Sequence, residues 1–302
     1  SFFQSGRPRM SETSHKYLRP EDVRRLANYR FAAKMMVEGW MSGRHRARGR
    51  GASSNFLEYR QYAQGDDVRM VDWRVYARTD RHYLKTFEHE THLECHLLVD
   101  SSASMGFRDM GPMSKLEYAS FFAACFAWLV VRGHDMVSLQ LFDEKIRSFI
   151  PPGSSMKHLD QLLNRLEHNA PGGLTSVSDA LERSRGLRRR KGPQVVVSEF
   201  LDDPASIFHA LNPYLHRGFK IILIQVLDPG ELSLRDQGAV RYRDMETGDR
   251  LVLNAASVRE DYRRDFMSHR QALRSMAASR GVAFMSATTR EPYYGLFDQL
   301  AG

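Results

Sequence analysis

The chain has 302 residues, 42% hydrophobic and 26% charged, an ordinary globular balance with room for one large α/β domain plus appendages or two modest domains. Its formal charge of +8 arises entirely in residues 1–50, where twelve Arg or Lys face four Asp or Glu; the rest of the chain is balanced. No run nears the roughly 18 apolar residues of a membrane helix, no apolar core of a signal peptide opens the chain, and two cysteines, Cys95 and Cys125, argue against a disulfide scaffold or zinc site. The expectation is a protein of the cytoplasm.

Residues 1–9 read as a cloning remnant ahead of Met10. In the segment 10–50, Arg19-Pro20-Glu21-Asp22 has the Pro and acids of a helix's first turn, and apolar residues from Leu26 to Trp40 follow at helical spacing, predicting a helix over 20–40. The arm Arg44-His45-Arg46-Ala47-Arg48-Gly49-Arg50 is either a solvated segment or an electrostatic handle for an acidic protein surface, nucleic acid or anionic lipid. It lacks the interleaved aromatics of single-strand binders, so nucleic acid is not the expected partner.

Residues 51–93 predict a small β-rich element, with strand candidates at 55–62, 68–73 and 83–87 around the turn signal Gly65-Asp66-Asp67. Residues 94–302 alternate strands and helices, which implies parallel pairing through helical crossovers. Strands are expected at 95–99, 137–142, 146–149, 194–197, 220–226 and 282–285, and helices at 114–132, 156–168, 176–188, 204–216 and 259–280. The second and third of these strands are too close for a crossover and should form one antiparallel edge. Segments 240–242 and 251–253, flanking Glu246-Thr247-Gly248-Asp249, predict an inserted hairpin near 239–254. The basic cluster 188–191 is expected to be a solvated helix C-terminal cap.

Asp100, Ser102 and Ser104 follow the apolar run Leu97-Leu98-Val99. One carboxylate and two hydroxyls at spacing i, i+2, i+4 on the turn leaving a buried strand are hard oxygen donors suited to a small divalent cation. A second loop, Pro171-Gly172-Gly173-Leu174-Thr175, offers another hydroxyl, its glycines permitting close backbone approach. A third, Ser198-Glu199-Phe200-Leu201-Asp202-Asp203, offers carboxylates. In open α/β sheets, ligands bind beyond the carboxyl ends of the strands, where such loops converge. The competing reading is that these Asp and Ser side chains cap helices and turns.

This set resembles the metal-ion-dependent adhesion site of von Willebrand factor A-type (vWA) domains. Glu58-Tyr59-Arg60-Gln61-Tyr62, Gly65-Asp66-Asp67-Val68-Arg69, Val71-Asp72-Trp73 and Ala77-Arg78-Thr79, with the later Leu227-Asp228-Pro229-x-Glu231 and Tyr262-Arg263-Arg264, resemble the bacterial domain of unknown function 58 family. The resemblance implies a Rossmann-like doubly wound α/β sheet in the order 3-2-1-4-5-6, with helices on both faces. It implies Mg²⁺, Mn²⁺ or Ca²⁺ held by Asp100, Ser102, Ser104 and Thr175, with a coordination position open to a partner's carboxylate. At the fifth position the family usually has Asp and this chain has Glu199; Asp202 and Asp203 are alternatives further along the loop. The implied partner is a MoxR-type AAA+ ATPase in a chaperone-like assembly system. Many members carry transmembrane helices ahead of this domain, and this chain resembles a soluble version.

Enzyme motifs are missing from the sequence: there is no phosphate-cradling Gly-x-x-x-x-Gly-Lys-Ser/Thr loop, no Gly-x-Ser-x-Gly elbow and no His-Glu-x-x-His. The best catalytic alternative is a metal-dependent phosphohydrolase using Asp100, but the second acid such enzymes want two residues on is Ser102 here. The expectation is a non-enzymatic interaction module.

Overall fold

The computed structural model describes residues 15–26, 55–62, 71–88, 93–232, 239–243 and 250–301. The chain divides into two compact units, Met41–His92 and a larger one made of Ser1–Trp40 with Leu93–Gly302. In chain order the elements are α1 (Pro20–Leu26), β1 (Asn55–Gln61), α2 (Trp73–Thr79), β2 (Tyr83–Glu88), β3 (Glu94–Asp100), α3 (Lys115–Arg132), β4 (Met136–Phe142), β5 (Ile146–Gly153) and α4 (Met156–Glu167). There follow α5 (Val177–Arg183), β6 (Pro193–Ser198), α6 (Pro204–His216), β7 (Lys220–Leu227), β8 (Ala239–Arg243), β9 (Arg250–Asn254), α7 (Ala255–Ser279), β10 (Ala283–Thr288) and α8 (Tyr294–Ala301).

In the smaller unit, β1 and β2 pair antiparallel. The strand expected over Val68–Trp73 is corrected: residues 68–70 lie outside the described residues, and Trp73 opens a helix. Asp72 is the reason, because its carboxylate accepts the Arg74 N–H as an N-cap, and Asp80 ends the helix in the left-handed region at φ 55°. The Tyr76 and His82 rings stack 4.4 Å apart, with Trp73 edge-on to both.

The larger unit is built on six strands in the order β10-β7-β6-β3-β4-β5, parallel except for the β4–β5 pair. Counted from β3 as the first, this is the expected 3-2-1-4-5-6 with one antiparallel edge. Strand β3 sits centrally because it is buried on both faces. Cys95, Leu97 and Val99 enter one apolar cluster with α3, α4 and α8, while Leu98 enters a second with α5, α6 and α7. Helix α3 is apolar on nearly every side and accordingly buried from Leu116 to Val131 except at Glu117. Each fully buried Leu or Phe stabilises the fold by roughly 1.5–3 kcal/mol.

Residues 15–26 strap onto this core. Tyr17, Leu18 and Leu26 are buried, and Asp22 accepts the hydroxyls of Tyr293 and Tyr294. Of the helix expected over 20–40, Pro20–Leu26 is observed and the rest lies outside the described residues, as does the Arg-rich arm. The hairpin β8–β9 forms as expected. Helix α5 stops short of its expected end at 188. The Ser184 hydroxyl donates back to the Ala180 carbonyl, and a 3₁₀ turn, Arg185–Leu187, replaces the last helical turn.

Arg188 is no solvated cap: it is buried, donating to the Ser184 carbonyl, the Tyr214 hydroxyl and the Gln140 side-chain oxygen. Helix α8 was not expected from the sequence. Cys95 and Cys125 are both buried thiols, pushed up in pKa by burial. Among the described residues, no helix is long and apolar enough to cross a membrane.

Candidate metal centre

Three loops meet beyond the carboxyl end of β3. The alternation of β3 that buries Leu98 beneath α5 and α6 also turns Asp100 to that face, where it has no accessible surface. Its Oδ1 accepts the Ser102 N–H at 2.9 Å, and its Oδ2 accepts the hydroxyl of Ser198, the last residue of β6, at 2.6 Å. Burial pushes the Asp100 carboxyl up to about 7, against the opposing pull of the Ser198 and Ser102 bonds, and the nearby Glu199 charge adds to the rise.

Ser102 is buried and Ser104 half-buried, at the start of a 3₁₀ turn, Ala103–Gly106. The Ser102 and Ser104 hydroxyl oxygens lie 3.1 Å apart, and those of Ser104 and Thr175 lie 3.3 Å apart. Thr175 reaches the group because its loop is laced to the β3 turn. Ala103 N–H donates to Gly173 O at 3.0 Å and Gly172 N–H to Ser101 O at 2.9 Å. Gly173 takes φ +79°, and a Cβ there would sit 2.6 Å from Asp143 Oδ2, so this close approach needs glycine. Asn169 Nδ2 on the Ser101 hydroxyl (2.8 Å) and Arg147 Nη1 on the Ser101 and Ala170 carbonyls (3.0 and 2.7 Å) hold the same two loops.

The structure thus gathers four of the proposed ligands, Asp100, Ser102, Ser104 and Thr175, from two loops. Glu199 is treated differently: it is buried and its carboxylate is committed to the Lys115 ammonium, which also contacts Glu231 at 2.5 Å. Asp202 accepts the Val177 N–H at 2.7 Å at the start of α5, and Asp203 caps α6 by accepting from Ser206 N–H at 2.9 Å. For these two acids the capping reading holds.

Sequence reasoning missed Lys115 and Ser198. Lys115 carried a signal, since a lysine at the first position of a helix opposes the macrodipole and marks a local conflict. Asp228 and Glu231 were noted only as part of a resemblance. Asp228 accepts the N–H groups of Asp109, Met110, Gly111 and Gly230, which outweigh burial and carry its pKa below the ordinary value.

One buried carboxylate and three hydroxyls, all oxygen, fit a small hard cation and offer nothing to a soft one. A hard divalent cation, if held by Asp100, Ser102, Ser104 and Thr175, would have room for further ligands.

The sheet order defines an α/β domain of vWA-like fold. The chain belongs to the family described as protein of unknown function DUF58, whose model matches residues 58–272. It is 28% identical over 277 residues to the uncharacterized protein Rv1480 of Mycobacterium tuberculosis, covering 89% of this chain and 86% of that protein. Among solved structures it is similar in fold to the conserved hypothetical protein BatB of Bacteroides thetaiotaomicron: TM-score 0.50, 15% identity, 69% of this chain and 95% of that one. A von Willebrand factor type A structure from Catenulispora acidiphila matches at TM-score 0.36 and 12% identity, over 65% of this chain and 44% of that one.

Proposed function

We propose that this protein is a non-enzymatic interaction module that holds Mg²⁺, or Mn²⁺ or Ca²⁺, and grips an acidic side chain of a protein partner. Asp100, Ser102, Ser104 and Thr175 are the protein ligands. The single observation that carries the reading is the continuous row of hydroxyls, 3.1 and 3.3 Å apart, set beside a buried carboxyl. Buried Asp100 resists ionisation in a dry site, and a cation there favours its charged form. The ion's remaining positions would take an incoming carboxylate. Leu174 and Leu201, on two of the three loops, are 43% and 50% exposed and supply apolar contact around that grip. By family resemblance, the partner is a MoxR-type AAA+ ATPase in a chaperone-like assembly system; the two free thiols, Cys95 and Cys125, suit a reducing compartment, the cytoplasm.

Adding Mg²⁺ to chelator-treated protein should raise the melting temperature; saturation at 100 times Kd corresponds to about 2.7 kcal/mol. Asp100→Ala should abolish the shift, and chelator should release a partner captured on the native chain. The absence of a shift with all three ions, or an equal shift in Asp100→Ala, removes the metal from the function.

A further inference from the structure

Lys115 has no accessible surface, although it is the first residue of α3, where the positive end of the helix dipole disfavours a cation. The turn that places it is fixed. Ser114 and Glu117 form a capping box, and the Lys115 N–H donates to the Phe107 carbonyl at 3.3 Å. The ammonium lies 5.6 Å from the Phe107 ring centroid and bonds both Glu199 and Glu231. Burial alone would lower its pKa, but the two carboxylates carry it above the ordinary value, so it is a charged ammonium.

Both partners are held from behind. Gln225 Nε2 donates to the Glu199 main-chain carbonyl at 2.9 Å, and the Asp228 N–H donates to Glu231 Oε2 at 2.7 Å. Phe200 follows at φ +54°, a left-handed conformation costly for a bulky side chain. Its N–H is held by Ser198 Oγ at 3.2 Å and its carbonyl lies 2.7 Å from His269 Nε2. The main chain at Glu199 is therefore set, and only its side chain decides which neighbour it serves. That choice is close at hand, because Ser198, the residue before it, bonds Asp100 directly.

We propose that Lys115 is a positioning residue that withholds Glu199 from the oxygen cluster, so that the cation is held by one carboxylate and depends on the partner's acid for the second. This rests on the metal reading above and deepens it. Affinity for hard divalent ions rises with the number of carboxylates that reach them. A single carboxylate leaves a dication half neutralised, so an arriving acidic side chain meets a strong attraction and the ion exchanges easily without it. Releasing Glu199 would satisfy the ion internally and blunt the grip on a partner.

The test uses the full chain and a substitution pair that conserves charge. Lys115 with Glu199 and Glu231 carries one net negative charge, and so does Glu199 alone in Lys115→Met/Glu231→Gln. The field at the site is kept while Glu199 is set loose. Calorimetric titration with Mg²⁺ and Mn²⁺ should show binding at least tenfold tighter in the pair variant than in the native chain. Adding Glu199→Gln to the pair should remove that gain. Equal affinities in the native chain and a folded pair variant overturn the inference and leave the metal reading standing. If neither protein binds either ion, and Ca²⁺ titrated in the same way also fails to bind, the metal reading falls and takes the inference with it.

A second measurement needs no variant to fold for its reading. A buried, ion-paired ammonium gives a slowly exchanging ¹⁵N signal for Lys115, which should persist when the native protein is saturated with Mg²⁺. Because Glu231 would still hold the ammonium, a change in that signal's chemical shift on saturation, as well as its loss, would mean that Glu199 changes sides, and would overturn the proposal.

Discussion

Lys115 and Arg188 are both buried cations among the described residues of the larger unit, and the fold accommodates them in opposite ways. Arg188 is met by neutral dipoles, the Ser184 carbonyl, the Tyr214 hydroxyl and the Gln140 amide oxygen, and burial pushes its pKa down to about 10. Lys115 is met by two carboxylates, which hold it more firmly charged than in water. Arg188 acts at the end of α5, where the carbonyls of the last turn carry the negative end of the dipole and suit it. Lys115 sits at the wrong end of α3 and is there because the carboxylates are. The first arrangement belongs to the fold, and the second belongs to the site.

If that distinction is right, the two cations respond unequally to removal. Lys115→Met alone strands Glu199 and Glu231 without their counter-ion and should cost about 3–5 kcal/mol in urea unfolding. The loss should shrink markedly in Lys115→Met/Glu231→Gln, where a single carboxylate remains. A single substitution that proves no worse than the pair would erase the contrast.

The Arg188 side of the comparison can be probed through its neighbour. His96 is buried, 2.9 Å from the Ser138 hydroxyl and 3.2 Å from the Arg190 carbonyl, and burial, aided by the Arg188 charge, pushes its pKa down to about 4. Unfolded, the imidazole titrates near 6.5, so between these values the unfolded chain binds the proton and the folded chain does not. Stability from this group is intact above pH 6.5 and is lost as the pH falls toward 4, by roughly 3 kcal/mol in total. Unfolding free energies across pH 4–7 should show that slope, and His96→Gln should flatten it. A slope unchanged by the substitution would mean the histidine is not the cause.

Arg188→Met should cost less, about 2 kcal/mol, because it leaves neutral groups unpaired instead of a charge. A loss equal to that of Lys115→Met would show that the guanidinium is as deeply coupled as the ammonium.

The same contrast explains what the sequence disclosed. The parallel α/β pattern and the turn after β3 were legible because alternating strands and helices, an apolar run ending in Asp100, and the pair Gly172-Gly173 are local signals with direct physical meaning, whereas the order of the strands came only with the family resemblance. Thr175 was legible for the same reason. The fate of Glu199 was not, since Lys115 lies 84 positions earlier and nothing in the run Ser198 to Asp203 distinguishes a carboxylate aimed at a metal from one aimed at an ammonium. Arg188 was misread as solvent-facing because an Arg-rich run looks the same whether or not its first member turns inward. The strand expected over 68–73 failed at Asp72, where one capping carboxylate outweighed an alternating pattern. Long-range charge pairing and single caps are thus the features that periodicity does not reveal.

The smallest effects divide the remaining acids at this end of the sheet. Asp202 bonds the Val177 N–H beside the Thr175 loop, and Asp203 caps α6 one residue later. Asp202→Ala should cost about 1 kcal/mol, as loss of a helix-terminal acceptor does. It should also loosen the ion slightly, because the segment it anchors carries Thr175. Asp203→Ala should lower the melting temperature least of all and leave Mg²⁺ affinity where it was, since its carboxylate faces Ser206 on α6. An ion affinity that collapses in Asp203→Ala would make that acid a ligand, and the division between capping carboxylates and the Asp100 cluster would have to be redrawn.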